Sequence, residues 1–487
     1  MTPPLSRSEL RGPGVFLAAY DLAWRLALPV VRALARLDDS ARRLLSRGRV
    51  RGRGCLPRNW RVTERLRLPP AAAGRPETLW CHCASLGEAK GLWGLVRDFL
   101  QRESATGRRI PFRIHLTANT AIGLDFLRRQ SQEFRARLSG LGNVDGGPDA
   151  MGPGGTRGCA DADAIEISTG MAPFDHPGWV RRYLIAGDVK ALCLFETELW
   201  PNYIRVGADL GIPVSLVSAR LSDKALSLYR RFPRATGSVM GKLAWIQAQS
   251  DCDRDRFQSL SRAPATTGFD FKAAHYLRDL RDPRRDSPLA FGTSRIAFVS
   301  LHLHELRKLL PELPALLERY PVAVFPRHMR ELAGFHRLLG PLGFVLHSRD
   351  AQARNLIVDS MGKVESILPG CHSAFVGGSL IPAGCHNLWE PLRYGLKTYF
   401  GSEYGNQESL ARMLLDRGIA EVVLDVRKLR EWREPGPEVA AACTLLLDGQ
   451  QEMLEAALAE CRGRIFATFE AEPRHAAVAT LSTLSTK

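Results

Sequence analysis

The sequence predicts an α/β protein of two doubly wound halves, and three observations carry that reading. Its 487 residues exceed what a single core organises. From Leu79 onward, apolar strand-like runs alternate with helix-like stretches, the rhythm of parallel sheets covered on both faces. The rhythm breaks near 273–294, a segment rich in Asp, Arg and Pro, and then restarts. Two such halves with a cleft between them place ligands at the carboxyl ends of their strands.

In the first half, Leu79–Ala84 reads as a strand and Ala89–Phe99 as a helix. Ile114–Thr117 is a strand before a helix near Ala121–Arg129. Ala191–Phe195 precedes helical Trp200–Leu210, and Val214–Val217 and Trp245–Ala248 are further strands. In the second half, strand Ile296–Ser300 leads to helical Glu305–Arg319. Strand Val322–Phe325 leads to a helix near Glu331–Leu339, and Leu356–Val358, Ala374–Val376 and Thr398–Phe400 are strands. A helix is expected over about 450–470. The Gly- and Pro-rich stretch 139–160 buries little and reads as a flexible insertion.

The amino terminus is different. Residues 14–37 are apolar enough to insert, but carry Asp21, Arg25, Arg32 and Arg36, with Pro29 inside. An interfacial or partly inserted amphipathic helix fits better than a clean span, and Asp21 and Arg25 are spaced to pair on it. Arg42, Arg43, Arg47, Arg49, Arg51, Arg53, Arg58 and Arg61 follow and suit anionic lipid. The formal net charge of +16 favours anionic partners in general. Concentrated in the amino-terminal segment with no recognition motif, it argues against nucleic acid. The domains expected are 1–62 (anchor and basic segment), 63–275, 286–470 and a tail, 471–487.

No dinucleotide fingerprint, P-loop, HExxH or GxSxG occurs. The ten cysteines show no metal-ligand spacing and read as reduced, mostly buried thiols. Asp251, Asp253 and Asp255 lack the glycine of a calcium loop, so Ser250 reads as a helix cap. Asp161-Ala-Asp163 is too short a match to assign. No metal and no cofactor are expected.

Four segments at strand ends carry candidate chemistry. His82-Cys-Ala-Ser-Leu-Gly-Glu88 places Glu88 at a helix start, either as a proton acceptor or as the far half of a capping box with Ser85. Glu196-Thr-Glu198-Leu-Trp-Pro-Asn202 puts two carboxylates beside an apolar strand, one to cap the helix and one for the cleft. Phe325-Pro-Arg327-His328 offers an arginine suited to phosphate or carboxylate. Gly377-Gly-Ser379 and Gly384-Cys-His-Asn387-Leu-Trp-Glu390-Pro391 form a glycine turn and a helix start. There Asn387 is a cap, and Glu390 either binds ribose hydroxyls or is merely exposed.

Together these strings resemble the 3-deoxy-D-manno-octulosonic acid (Kdo) transferase family of lipopolysaccharide synthesis. The chain is similar to that family's HxVSVGE at 82–88, and its ETELWPN stands intact at 196–202. Its PxDxP is matched by Pro173-Phe-Asp-His-Pro177 and its VNARLS by Val217-Ser-Ala-Arg-Leu-Ser222. The resemblance covers roughly 77–425. It implies a GT-B fold and inverting transfer of Kdo from CMP-Kdo to a lipid A precursor, without metal, at the cytoplasmic face of a bacterial inner membrane. It implies Glu88 as general base, with Glu196 and Lys272 stabilising the transition state. CMP-sugar would be held by Pro326, Arg327, Met361, Gly362, Lys363, Asn387, Leu388, Trp389 and Glu390.

Several strings depart from the family's. TGxxKFD is Thr267-Gly-Phe-Asp-Phe-Lys272, with the lysine one place later. TMGE is Ser360-Met-Gly-Lys363, STHxGE is Ser300-Leu-His-Leu-His-Glu305, and GPHTFNF is Gly401-Ser-Glu-Tyr-Gly-Asn-Gln407. These sit on the donor side. Two other readings stand beside the first: a divergent transferase of another sugar or acceptor, or an inactive lipid- or nucleotide-binding relative.

Overall fold

The computed structural model describes residues 17–31, 33, 62–69, 77–106, 110, 112–138, 166–278, 295–360 and 362–469. The 139–160 insertion, the arginines from 42 to 61, Met361 and the 471–487 tail lie outside the described residues. The chain divides into two compact units, Met1–Lys272 with Met453–Lys487, and Ala273–Glu452.

The first unit holds a seven-stranded parallel sheet. Its strands are β1 (Thr78–Cys83), β2 (Arg113–Ala118), β3 (Ile167–Met171), β4 (Val189–Phe195), β5 (Val214–Ala219), β6 (Trp245–Ala248) and β7 (Ala265–Thr267). They lie in the order β3-β2-β1-β4-β5-β6-β7. Strands β1, β2, β5 and β6 are buried at every position, as expected where helices cover both faces. Strands β3 and β7 were not foreseen, because each is short and only partly apolar.

The second unit repeats the plan with β8 (Arg295–Leu301), β9 (Val322–Pro326), β10 (Phe344–Leu346), β11 (Asn355–Ile357), β12 (Cys371–Val376), β13 (Lys397–Phe400) and β14 (Ala420–Val422). The order is β10-β11-β9-β8-β12-β13-β14. The single helix expected over Glu305–Arg319 is two, Leu303–Leu309 and Leu313–Leu317. Pro311 and Pro314 explain the break, since neither can donate to a preceding turn.

The strand order reverses between β1 and β4 in the first sheet and between β8 and β12 in the second, where β11 also sits between β9 and the edge strand β10. Such a reversal opens a crevice at the carboxyl ends of the two strands. Glu88 and Glu196 follow β1 and β4 at the first reversal, and the segment 377–390 follows β12 at the second.

The helix Pro437–Ile465 starts in the second unit, and the chain rejoins the first at Met453. The expected domain ran to 470 instead. Buried aromatic contacts account for the return: Phe466 stacks on Phe99 at 3.5 Å and Phe469 on Phe112 at 4.1 Å between ring centroids.

Residues 17–31 are helical and dock on the first unit. Leu17 and Leu28 are buried, Trp24 packs on Phe174 at 5.8 Å, and Tyr20 Oη donates to Asp175 Oδ2 at 2.8 Å. Asp21 pairs with Arg205 at 3.2 Å. The expected partner, Arg25, faces away from the docked side and is exposed. Leu22, Leu26 and Val30 are also exposed. Among the described residues no helix is long and apolar enough to cross a membrane.

Asp175 is the hinge of this docking. It also accepts from the backbone N–H groups of Asn202 and Tyr203, at 3.2 and 3.0 Å, and so caps helix Pro201–Asp209. Asp175→Ala is expected to lower unfolding stability by about 1–3 kcal/mol, the sum of a lost cap and a lost buried hydrogen bond. Urea unfolding checks this, and an unchanged midpoint would rule out the capping role.

Candidate active site

Helix Leu86–Thr106 begins directly after β1, so Glu88 stands in its first turn at the reversal of the first sheet. Its carboxylate accepts from Ala84 N at 2.6 Å, from Ser85 N at 3.4 Å and from Ser85 Oγ at 3.1 Å. Glu88 N donates to Ser85 Oγ at 3.5 Å. The capping box is therefore real, and it holds the side chain that could act as base. The two readings of Glu88 are compatible, because each carboxylate oxygen has more than one acceptor direction.

Glu196 follows β4 across the reversal. Its φ is +61°, a left-handed conformation that non-glycine residues seldom adopt and that often marks functional sites. The carboxylate forms an ion pair with Lys272. Burial pushes its carboxyl up to about 7, with Lys272 pulling it down and Glu88 and Asp270 adding to the rise. The one-place shift of the lysine in sequence does not carry it away from the carboxylate pair. Its Cε lies 3.8 Å from the point a Cβ on Gly87 would occupy. Helix and strand end meet closely here, since a Cβ on Gly91 would lie 2.8 Å from Phe195 Cζ.

Three supports went unassigned in the sequence. Asp270 Oδ1 accepts from Lys272 N at 3.0 Å, and burial raises the Asp270 carboxyl while Lys272 and Arg220 oppose the rise. Ser218, at φ +54°, donates its Oγ to Phe269 O at 3.3 Å and accepts from Phe271 N at 3.2 Å. Both contacts fix the loop that carries Lys272. Glu198 turns inward and accepts from Trp200 Nε1 at 2.6 Å and Asn119 Nδ2 at 3.0 Å, with His82 Nε2 at 3.3 Å. Against its burial, these partners hold its carboxyl below the usual range. Neither glutamate caps the following helix as expected, since Asp175 does so; Glu198 is engaged by three side chains, whereas Glu196 faces Lys272. No spacing rule distinguishes them; only the backbone turn after β4 does.

In the second unit the expected donor residues lie after three strands: Pro326 and Arg327 at the end of β9, Gly362 and Lys363 after β11, and Asn387 to Glu390 after β12. Pro326 ends β9, and Arg327 follows with its backbone N–H donating to Leu301 O at 2.9 Å. The Arg327 side chain is exposed. The N-cap of helix Trp389–Arg393 is Leu388 rather than the expected Asn387, one residue earlier. Asn387 Oδ1 still accepts from Trp389 N at 3.0 Å, and its amide donates to Tyr276 Oη. Leu388 and Trp389 are buried. Burial raises the Glu390 carboxyl, with Asn387 and Arg327 pulling it down. Gly362 adopts φ +78° and Lys363 is exposed.

The glycine turn after β12 has no room for a side chain. A Cβ on Gly377 would lie 2.4 Å from Ser300 O and 2.8 Å from Leu301 Cα. Gly377→Ala is expected to force β8 and β12 apart and cost about 1–3 kcal/mol, with CMP binding weakened at least tenfold. Calorimetric titration with CMP checks it. Wild-type affinity in that variant would show that the turn does not shape the site.

A family model described as 3-Deoxy-D-manno-octulosonic-acid transferase (kdotransferase) matches residues 60–273, the segment that holds Glu88, Glu196 and Lys272. Over those residues the chain is similar to the Kdo transferase family. A 3-deoxy-D-manno-octulosonic acid transferase of Bordetella pertussis is 26% identical over 392 residues, which cover 77% of this chain and 83% of that protein. A bifunctional glycosyltransferase/methyltransferase of Fusobacterium nucleatum subsp. nucleatum is 26% identical over 281 residues, 55% of this chain. The aligned part is only 44% of that relative's length. A solved structure, the C-terminal CMP-Kdo binding domain of WaaA from Acinetobacter baumannii, is 20% identical. It covers 39% of this chain and 100% of its own, with a TM-score of 0.28. The Kdo transferase resemblance read from ordered motifs thus agrees with an independent family match. Among the described residues no cluster of ligand side chains could hold a metal ion.

Proposed function

We propose that this protein is an inverting glycosyltransferase of GT-B type that moves Kdo from CMP-Kdo to a lipid A precursor. The observation that carries the reading is the Glu88, Glu196 and Lys272 group at the sheet reversal of a Kdo transferase family segment. Glu88 takes the proton of the acceptor hydroxyl as its oxygen attacks the anomeric carbon. The bond to CMP breaks on the opposite side, and its electron pair stays on the phosphate. Lys272, held by Glu196, supplies positive charge where the reacting groups are most negative. Arg327, Asn387 and Glu390 hold the nucleotide. Pro326, Leu388, Trp389, Gly362 and Lys363 shape or flank that site.

The acceptor is an anionic lipid, and helix 17–31 supports a membrane-surface location. One face is fixed to the protein, while Leu22, Leu26 and Val30 are presented outward. We place it on the cytoplasmic face of a bacterial inner membrane, against anionic lipid.

The test is incubation of purified protein with CMP-Kdo and a tetra-acylated lipid A precursor, followed by product mass and released CMP. Addition of Kdo mass to the lipid supports the assignment. No transfer by folded protein supplied with membrane lipid sinks it. The altered donor-side strings around Lys363 and 402–407 give a second reading, transfer of a related sugar, which the same assay tests with other CMP-sugars.

A further inference from the structure

The second sheet holds a pair of groups that the mechanism above does not use. His302 follows β8 and His386 lies in the segment after β12, the two strands between which the order reverses. Their Nε2 atoms stand 2.9 Å apart, with rings stacked at 5.1 Å between centroids. Two imidazole nitrogens at that distance share one proton, donated by one ring and accepted by the other.

The surroundings favour a negative ligand. His328 meets His302 edge-on at 5.4 Å, and its neighbour Arg327 directly follows β9. Among the described residues no carboxylate forms a close ion pair with the Arg327 guanidinium, although Glu390 lies near enough to feel its charge. The charged or titratable groups facing His302 are Glu305, His328, Glu331 and Arg327; those facing His386 are Arg327, His302 and His328. Glu305 is fully buried, and three backbone N–H groups satisfy it, from Gly378 at 2.7 Å, Leu380 at 3.0 Å and His302 at 3.1 Å. Glu331 accepts from Leu303 N at 3.3 Å. Both acids are thus already engaged, whereas the histidines and Arg327 are half-buried or exposed at the ligand end of the sheet.

We propose that His302 and His386, with Arg327, form an anion site that takes up a proton as it captures a doubly charged phosphate monoester. The proposal rests on the CMP-sugar reading. CMP is such a monoester, whereas the phosphate of an intact CMP-sugar is a singly charged diester. The site therefore favours the charge that gathers on phosphate as the sugar leaves.

Without ligand, burial lowers both histidines, His386 to about 4, with Arg327 and its two histidine neighbours adding to the fall. The empty pair is neutral at pH 7. A dianion reverses the local field and raises the pair's proton affinity. For an anion whose own charge is fixed, affinity is then greatest at low pH; a monoester, itself protonated below about pH 6, shows the same fall only above that. Affinity for the fixed anion falls as pH rises above about 4 toward the pKa of the complex, by at most about tenfold per unit for one proton.

The experiment is calorimetric titration of the full chain with CMP, cytidine and sulfate at about pH 6, 7 and 8, in two buffers of unlike ionisation heat. Sulfate does not titrate in this range, so any proton taken up is the protein's. The expected result is proton uptake with sulfate and with CMP, and CMP affinity at least threefold lower at pH 8 than at pH 7. A plain cationic site would hold the fully ionised phosphate at least as well at pH 8. His386→Gln and His302→Gln should weaken CMP at least tenfold, abolish uptake and leave cytidine unchanged. Tight CMP binding without uptake, unaffected by either substitution, overturns the histidine site and leaves the CMP-sugar reading standing. Uptake with sulfate but no preference for CMP keeps the site and sinks the CMP-sugar reading. The proton count on the unsubstituted protein decides the matter even if a variant fails to fold.

Discussion

Turnover by a Glu88→Gln protein is expected to fall by about 10²–10⁴-fold, while its affinity for CMP stays unchanged. Glutamine keeps the size and part of the hydrogen bonding of the side chain but cannot accept the hydroxyl proton. The residues proposed to hold the nucleotide lie in the second unit, so CMP binding gives an independent control. Glu88→Gln also separates the two readings of the capping box. A cap alone is worth about 0.5–2 kcal/mol, which unfolding would register without a large change in turnover. Near-normal turnover with lowered stability would make Glu88 a cap and nothing more. Lost turnover with retained CMP binding would also exclude a role confined to binding.

Lys272→Met is expected to reduce turnover by about 10²–10³-fold and to move the acid limb of the pH–rate profile upward. Lys272 opposes the burial that raises Glu196 to about 7, so without it Glu196 gives up its proton at still higher pH. The sign for stability follows. An ordinary glutamate ionises near 4.5 and the folded Glu196 near 7. Between those values the folded chain keeps a proton that the unfolded chain has lost, so this group's contribution to stability declines as pH rises through that window. Because the pair acts as one unit, Glu196→Gln with Lys272→Met should cost little more than either alone. Additive losses, or a profile that does not move, would show that the contact is incidental.

Much of this protein is legible in its sequence. The βα rhythm located the central strands, because buried parallel strands are short apolar runs between helices. Trp245–Ala248 was bounded as the structure has it. Ser250 caps the helix Asp251–Leu260, as its acidic first turn implied. The ordered strings after β1, β4, β9 and β12 led to the Kdo transferase family, since strand ends carry residues chosen for chemistry rather than packing. Edge strands such as β3 and β14 were missed because partial exposure weakens their pattern.

What the sequence by itself determined was the doubly wound class, the order of the site strings and the residue types at the sheet reversals. These are local properties, written in neighbouring residues. The resemblance singled out Glu196 over Glu198, but only the tertiary structure gave a physical difference between them, one left-handed backbone angle and an ion pair with Lys272, far along the chain. The tertiary structure alone matched Asp21 with Arg205 rather than Arg25 and brought His302 to His386 across 84 residues. Such pairings are set by packing between distant segments, and no local spacing records them.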